Sequence, residues 1–213
     1  GMYRGVPPDA ATGPLWVEAN AGLPDPVIVN DALSLDSGPV LIATWGHEGI
    51  YSSSDGGRSW TGMIFEDQTG NSAPGSHIIY ALAEGRDGML YASADSGRIF
   101  RSNNGGTSWR LASALPGGSS DLSWALATHP TIPGTLFAGT FGNGVYASSD
   151  YGSTWARVEG IGLGEDGRAH VFDLEFDPAR PDAPVLWAAT ALGVFRSADL
   201  GSTWQDMSGG LAP

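Results

Sequence analysis

The acids and histidines best placed to do chemistry in this chain stand in short glycine-rich turns. Three such turns are Trp45-Gly46-His47-Glu48, Asp95-Ser96-Gly97-Arg98 and Phe141-Gly142-Asn143, with Ala191-Leu192 at a fourth equivalent place. Longer loops carry Glu66-Asp67-Gln68 ahead of His77, then Ser119-Ser120-Asp121, then Glu165-Asp166-Gly167-Arg168 ahead of His170. Acids interleaved with aromatic rings suit a carbohydrate ligand, because rings pack on sugar faces and carboxylates accept hydroxyl protons. Hydrolysis of a glycosidic bond asks for more: two carboxyl groups opposed across a cleft. Asp95, Asp121, Glu66 and Glu165 are the nominal acids for that work, and His47, Glu48, Asp95, Arg98 and Asn143 are expected on the ligand-facing surface.

Other chemistries are excluded by what the chain lacks. His47, His77, His129 and His170 are scattered, with no His-x-His spacing, so no metal is expected. There is no Cys, which removes disulfides, zinc-thiolate sites and thiol nucleophiles. No phosphate-cradling glycine motif or serine elbow occurs, and no cofactor is implied. Net charge is −13 and all ten basic residues are Arg, without a cluster. Nucleic acid and anionic membrane surfaces are therefore poor partners. No run approaches eighteen apolar residues.

The elements that position these turns are set by an internal repeat. Four cassettes share Ser-x-Asp/Asn-x-Gly-x-Ser/Thr-Trp: Ser53, Asp55, Gly57 and Trp60; Ser102, Asn104, Gly106 and Trp109; Ser148, Asp150, Gly152 and Trp155; Ser197, Asp199, Gly201 and Trp204. The tryptophans are 49, 46 and 49 residues apart, the size of one four-stranded propeller blade. Upstream of each cassette lie Leu41-Ile42-Ala43, Leu90-Tyr91-Ala92, Leu136-Phe137-Ala138 and Leu186-Trp187-Ala188, and earlier still a further short strand. Each repeat thus reads as strand, turn, strand, glycine turn, strand, cassette turn, and a last strand opening at Trp. The fold class expected is all-β, a β-propeller built from four four-stranded antiparallel sheets.

The cassette is a structural staple before anything else. Ser and Asp oxygens accept backbone N–H groups and hold the turn shut, and Gly supplies a left-handed conformation. A buried indole of roughly 200 Å² is worth up to ~5 kcal/mol.

These cassettes resemble the Asp-box (BNR) repeats of sialidases, xyloglucanase-type glycoside hydrolases, sortilin-type receptors and the photosystem II assembly propeller. The resemblance covers nearly the whole chain from Val27 onward. It implies a propeller whose ligands sit on the face opposite the cassettes. It leaves function open, since enzymes, receptors and assembly factors share the repeat. The early Arg-Ile-Pro motif of sialidases is absent. The xyloglucanase type places a base Asp in Thr-Asp-x-Gly-Gly-x-Tyr-Arg; here Ala94-Asp95-Ser96-Gly97-Arg98-Ile99-Phe100-Arg101 matches at Asp, the first Gly and the final Arg. The leading expectation is a non-catalytic scaffold binding a glycan or protein partner, with a glycoside hydrolase or its remnant as the alternative.

Residues 1–26 form an N-terminal segment, and four blades follow at about 27–66, 77–112, 121–159 and 170–208. Trp16-Val17-Glu18-Ala19-Asn20-Ala21-Gly22-Leu23-Pro24 resembles the tail Trp204 to Pro213, so Trp16 reads as an orphan outer strand. Four blades leave closure open: two chains joined as an eight-bladed ring is the favoured arrangement, ahead of a closed four-bladed ring or a piece of a longer parent.

Overall fold

The computed structural model of the chain describes residues 2–9, 13–45, 49–66, 72–73, 77–118 and 122–210. The described residues are all-β, with twenty strands among them and only short 3-10 turns besides, two of which are Asp95–Gly97 and Glu165–Gly167. A hairpin of β1 (Tyr3–Asp9) and β2 (Gly13–Glu18) precedes the repeats, so the strand holding Trp16 pairs within its own chain. The first antiparallel sheet is β3 (Val29–Ser34), β4 (Val40–Thr44), β5 (Ile50–Ser53) and β6 (Thr61–Gly62). The chain then crosses over through β7 (Ile64–Glu66) and β8 (Ser72–Ala73) onto the outer edge of the second sheet. That sheet is β9 (Ile79–Glu84), β10 (Leu90–Ala94), β11 (Arg98–Ser102) and β12 (Ser108–Ala114). The third is β13 (Ser123–Thr128), β14 (Leu136–Thr140), β15 (Val145–Ser148) and β16 (Ala156–Arg157). The fourth is β17 (Val171–Phe176), β18 (Leu186–Thr190), β19 (Gly193–Ser197) and β20 (Gln205–Asp206).

All four cassettes close the turn before the outermost strand by one bonding scheme. Ser53 Oγ donates to Asp55 Oδ1 at 2.8 Å and accepts the Gly57 N–H at 2.9 Å. Asp55 then accepts the Ser59 N–H on one oxygen and the Ser59 hydroxyl on the other, at 2.9 and 2.6 Å. Ser148, Asp150 and Thr154 repeat this, as do Ser197, Asp199 and Thr203. Asn104 keeps the scheme with one polarity reversed: its Nδ2 donates to Ser108 Oγ at 3.0 Å. Two successive residues carry positive φ in every cassette. The second is always Gly, whereas the first is Tyr151 or Leu200 in two copies, a cost that the bonded turn offsets.

Trp60, Trp109, Trp155 and Trp204 are 5%, 0%, 9% and 7% exposed, so all four are buried; the last three face a neighbouring sheet and give the indole N–H to the Gly of their own cassette, whereas Trp60 gives it to Ala19. Three apolar clusters fill three junctions. Leu41, Ile50, Leu90 and Trp109 join the first sheet to the second; Tyr91, Ile99, Leu136 and Trp155 join the second to the third; Phe137, Val145, Leu186 and Trp204 join the third to the fourth. Ile42, Tyr51 and Trp60 pack instead against Met2 and Leu23 of the N-terminal segment. Among the described residues no apolar cluster joins the fourth sheet to the first.

The inner strands β3, β9, β13 and β17 lie side by side in that order and line a cavity of about 460 Å³. β9 and β13, with a sheet on both sides, are buried nearly throughout, whereas β17 exposes Phe172, Asp173 and Glu175. That contrast is what one covered face produces.

Two consequences are measurable. Replacing Trp109 by Ala removes a fully buried indole and is expected to cost about 3–5 kcal/mol, read as a shift in urea midpoint. Hydrogen bonds from Thr154 and Ser148 hold the Asp150 carboxyl down at about 2, and similar bonds lower Asp55 and Asp199. Depressed carboxylates contribute stability above their unfolded pKa and lose it as pH falls through the folded values. The melting temperature is therefore expected to hold from pH 7 to about 4 and to fall between about 4 and 2. Asp150→Asn should fold and flatten that fall, since Asn104 already fills the same place.

Candidate functional site

The same backbone bond starts the inner turn of every sheet. Trp45, Asp95, Phe141 and Ala191 each donate their N–H to the carbonyl of Ile28, Ile78, Leu122 or His170, at 2.9 to 3.0 Å. These four residues are thereby pinned beside the start of the inner strand, whose second residue is Asn30, Tyr80, Trp124 or Phe172. Where both sets are aromatic, the rings meet.

The result is a continuous row across the sheets. Trp45 stands edge-on to Tyr80, with centroids 5.9 Å apart. Tyr80 stacks on Trp124 at 5.9 Å with planes only 10° apart. Trp124 stacks on Phe141 at 5.4 Å and tilts toward Phe172 at 6.2 Å. Phe141 also receives His170 edge-on at 4.1 Å. Trp45, Phe141 and Phe172 are 50%, 44% and 42% exposed, while Tyr80 and Trp124 between them are half-buried, so solvent reaches the row chiefly at its outer rings. Below it, Asn30, Asp31, Asp173 and Glu175 line the axial cavity. Partial desolvation in the cavity wall first, and then the charge of Asp173, push the Glu175 carboxyl above its ordinary range, although part of its side chain stays exposed.

Asp95 sits in the 3-10 turn Asp95–Gly97, where Ser96 takes positive φ. Its Oδ2 accepts Arg98 Nη2 at 2.5 Å and its carbonyl accepts Arg98 Nε at 3.1 Å. Oδ1 is buried without a hydrogen bond and faces His77 Nδ1, equally unpartnered, across 3.6 Å. His77 rests on the rings of Phe65 and Phe100. Burial, then the Arg98 charge, push its pKa below the usual value, against the opposite pull of Asp95. Asp95, Arg98 and His77 thus form one cluster, in which the Arg98 guanidinium and the His77 ring flank the carboxylate.

The other anticipated residues fall elsewhere. Glu66 lies on β7 at the outer edge of the second sheet, bonded to Arg110 and near Asn104 and Ser108 of a cassette. Asn143 follows Phe141 and donates its N–H to Thr140 Oγ1 at 3.2 Å. Arg157 reaches the carbonyl of Asp166 beside Glu165. His47, Glu48, Asp67, Gln68, Ser119, Ser120 and Asp121 lie outside the described residues. Among the described residues no group of His, Asp and Glu is arranged to hold a metal. Tyr80, Trp124 and Phe172 are the additions that sequence reading passed over. Their shared place, second in three inner strands, was available as a signal.

No protein-family model matches the chain. A xyloglucanase of Acetivibrio thermocellus is 31% identical over 99 residues, 43% of this chain and 11% of that protein. The GH74 xyloglucanase of Xanthomonas campestris superposes with a TM-score of 0.64 at 18% identity, over 89% of this chain and 34% of that one. YCF48 of Cyanidioschyzon merolae superposes with a TM-score of 0.61 at 14% identity, over 87% of this chain and 57% of that one. The chain spans about a tenth of the curated relative and about a third of the xyloglucanase structure. These likenesses establish a propeller fold related to both groups.

The Asp95 cluster gives a prediction with a definite sign. Followed by NMR, His77 should titrate below 6.5. Arg98→Ala removes a charge that disfavours the imidazolium, so it should raise the His77 pKa; an unchanged value would contradict the arrangement.

Proposed function

We propose that this chain is a non-catalytic Asp-box propeller that binds an extended glycan along the row Trp45–Tyr80–Trp124–Phe141–Phe172. The row itself carries the reading. Aromatic rings with centroids 5.4 to 6.2 Å apart, three of them largely exposed, offer sugar rings apolar contacts, and the acids lining the cavity offer acceptors for hydroxyl groups. The xyloglucanase likeness supports a glucan as the glycan class. The absence of catalysis rests on Asp95. A general base needs a carboxylate free to take a proton, and here Arg98 and His77 flank it.

The second reading is a glycoside hydrolase, xyloglucanase-like before sialidase-like, or a remnant of one. One observation favours it: Asp173 and Glu175 line the same cavity, and partial desolvation with the Asp173 charge raises the Glu175 carboxyl. A raised carboxyl in a cavity is what a general acid requires.

A glycan array followed by calorimetric titration, run beside a panel of chromogenic glycosides, separates the two. The expected outcome is saturable binding of a linear or branched β-glucan oligosaccharide with no turnover. Trp124→Ala should weaken that binding by about tenfold or more, given ~1–3 kcal/mol for a stacked ring. Turnover lost in Glu175→Gln would replace the scaffold reading with the hydrolase. Binding that is indifferent to Trp124 would remove the row from either reading.

A further inference from the structure

Two Asn-Gly pairs occur in the chain, Asn104-Gly105 in the second cassette and Asn143-Gly144 in an inner turn. In such a pair the side-chain amide is open to attack by the next backbone nitrogen, because Gly has no Cβ to block the approach. The two pairs differ in the state of that nitrogen. Gly144 is buried, its N–H donates to the Ala169 carbonyl at 3.2 Å, and a Cβ there would stand 2.0 Å from the Gly167 oxygen. Gly105 is exposed, with no atom within 4 Å of where its Cβ would be. Among the described residues its N–H has no hydrogen-bond partner.

The cassettes differ in the group under attack. Asp55 also precedes a Gly, but hydrogen bonds from Ser59 and then Ser53 hold its carboxyl far below the usual range. An ionised carboxylate repels a nucleophile and offers no leaving group. Asp150 and Asp199 precede Tyr151 and Leu200, whose side chains crowd the attacking nitrogen. Of the four cassettes, the second alone joins an uncharged amide to a free glycine nitrogen. That amide is held on both atoms. Oδ1 accepts the Ser102 hydroxyl at 2.8 Å and the Ser108 N–H at 3.0 Å, and Nδ2 donates to Ser108 Oγ at 3.0 Å. Asn104 Cγ therefore turns onto the Gly105 nitrogen only when the cassette opens locally.

We propose that Asn104 is a modification site, converted without an enzyme to aspartate each time an opening of the second cassette runs to completion. Hydroxide takes the Gly105 N–H proton and the nitrogen bonds to Cγ. The Cγ–Nδ2 bond breaks, and Nδ2 leaves as ammonia with a proton from water. Water then opens the cyclic imide. Cleavage of its N–Cγ bond gives aspartate, and cleavage at the main-chain carbonyl gives isoaspartate. Only the first product closes the cassette again. In the other three copies the second carboxylate oxygen accepts the hydroxyl of Ser59, Thr154 or Thr203 at 2.6, 2.7 and 2.6 Å, and Ser108 stands at the equivalent place. Arg101 and Arg110 line the same cavity of about 400 Å³ as Asn104 and favour the new charge. Isoaspartate lengthens the main chain by one methylene, so the span from Ser102 to Ser108 no longer closes. The open form returns to the imide, and repeated passage leaves aspartate.

Peptide mapping by mass spectrometry on the chain stored in warm, mildly alkaline buffer tests this. The peptide holding Asn104 should gain the mass of exchanging NH2 for OH, while the peptide holding Asn143 stays unchanged. Electron-transfer fragmentation should show aspartate in excess of isoaspartate in the folded protein, and isoaspartate in excess in the chain kept in urea. The new species should elute with Asn104→Asp on anion exchange, and that variant should melt at or above the temperature of the unmodified chain. Ser108→Ala frees Nδ2 and should react severalfold faster, whereas Gly105→Ala should slow the change severalfold in urea as well as when folded. The proposal is overturned if Asn143 changes first, or if Asn104 persists in the folded chain over a storage that converts it in urea. Isoaspartate in excess in the folded protein, or a lower melting temperature for Asn104→Asp, overturns it equally. None of these readouts involves glycan binding.

Discussion

A four-stranded sheet with one wet face cannot hold its own tryptophan dry, and that constraint organises this protein. Each cassette presents an indole at the start of the outermost strand, and only the sheet and connector before it can cover that indole. The backbone bonds from Trp60 to Ala21 and from Trp204 to Ile161 fix the register of the cover. With register fixed, the inner strands must come side by side in chain order. The same step from sheet to sheet is then repeated at both ends of the blade, cassette turns on one side and inner turns on the other.

The aromatic row is a by-product of that repetition. Because Trp45, Asp95, Phe141 and Ala191 hang from one recurring backbone bond, aromatic residues at those places, or second in an inner strand, come together across the sheets. Selection of Tyr80, Trp124 and Phe172 at the second place produces a row without any change in the scaffold. Asp95 departs from the row: its turn holds a charged cluster, with Arg98 bound to it and His77 between Phe65 and Phe100. The cassettes lie at one end of each sheet and the inner turns that carry the aromatic row at the other.

What the sequence disclosed follows the range of each interaction. The cassette turn is local: Ser53 to Ser59 contains every donor and acceptor that closes it, and only the backbone and indole N–H groups of Trp60 reach outside, to Ala21 and Ala19. Its bonding was therefore legible in eight residues, and the spacing of the tryptophans disclosed the sheets. The aromatic row was not legible in the same way. Tyr80 and Trp124 are 44 residues apart and meet only because two sheets share a register. Aligning the inner strands position by position would have shown it. Glu66 illustrates the converse. It follows the first sheet closely in sequence, yet β7 carries it to the outer edge of the second, beside Arg110. No local pattern announces a crossover of that kind.

A crystal structure of the chain grown with a β-glucan oligosaccharide addresses the central claim, that stacked sheets align inner-strand rings into one binding track. The account predicts sugar rings lying flat over Tyr80 and Trp124, with their hydroxyls directed toward Asp31 and Asp173. Sugar seated among the cassette turns, or a row broken because Tyr80 and Trp124 do not stack, would contradict it.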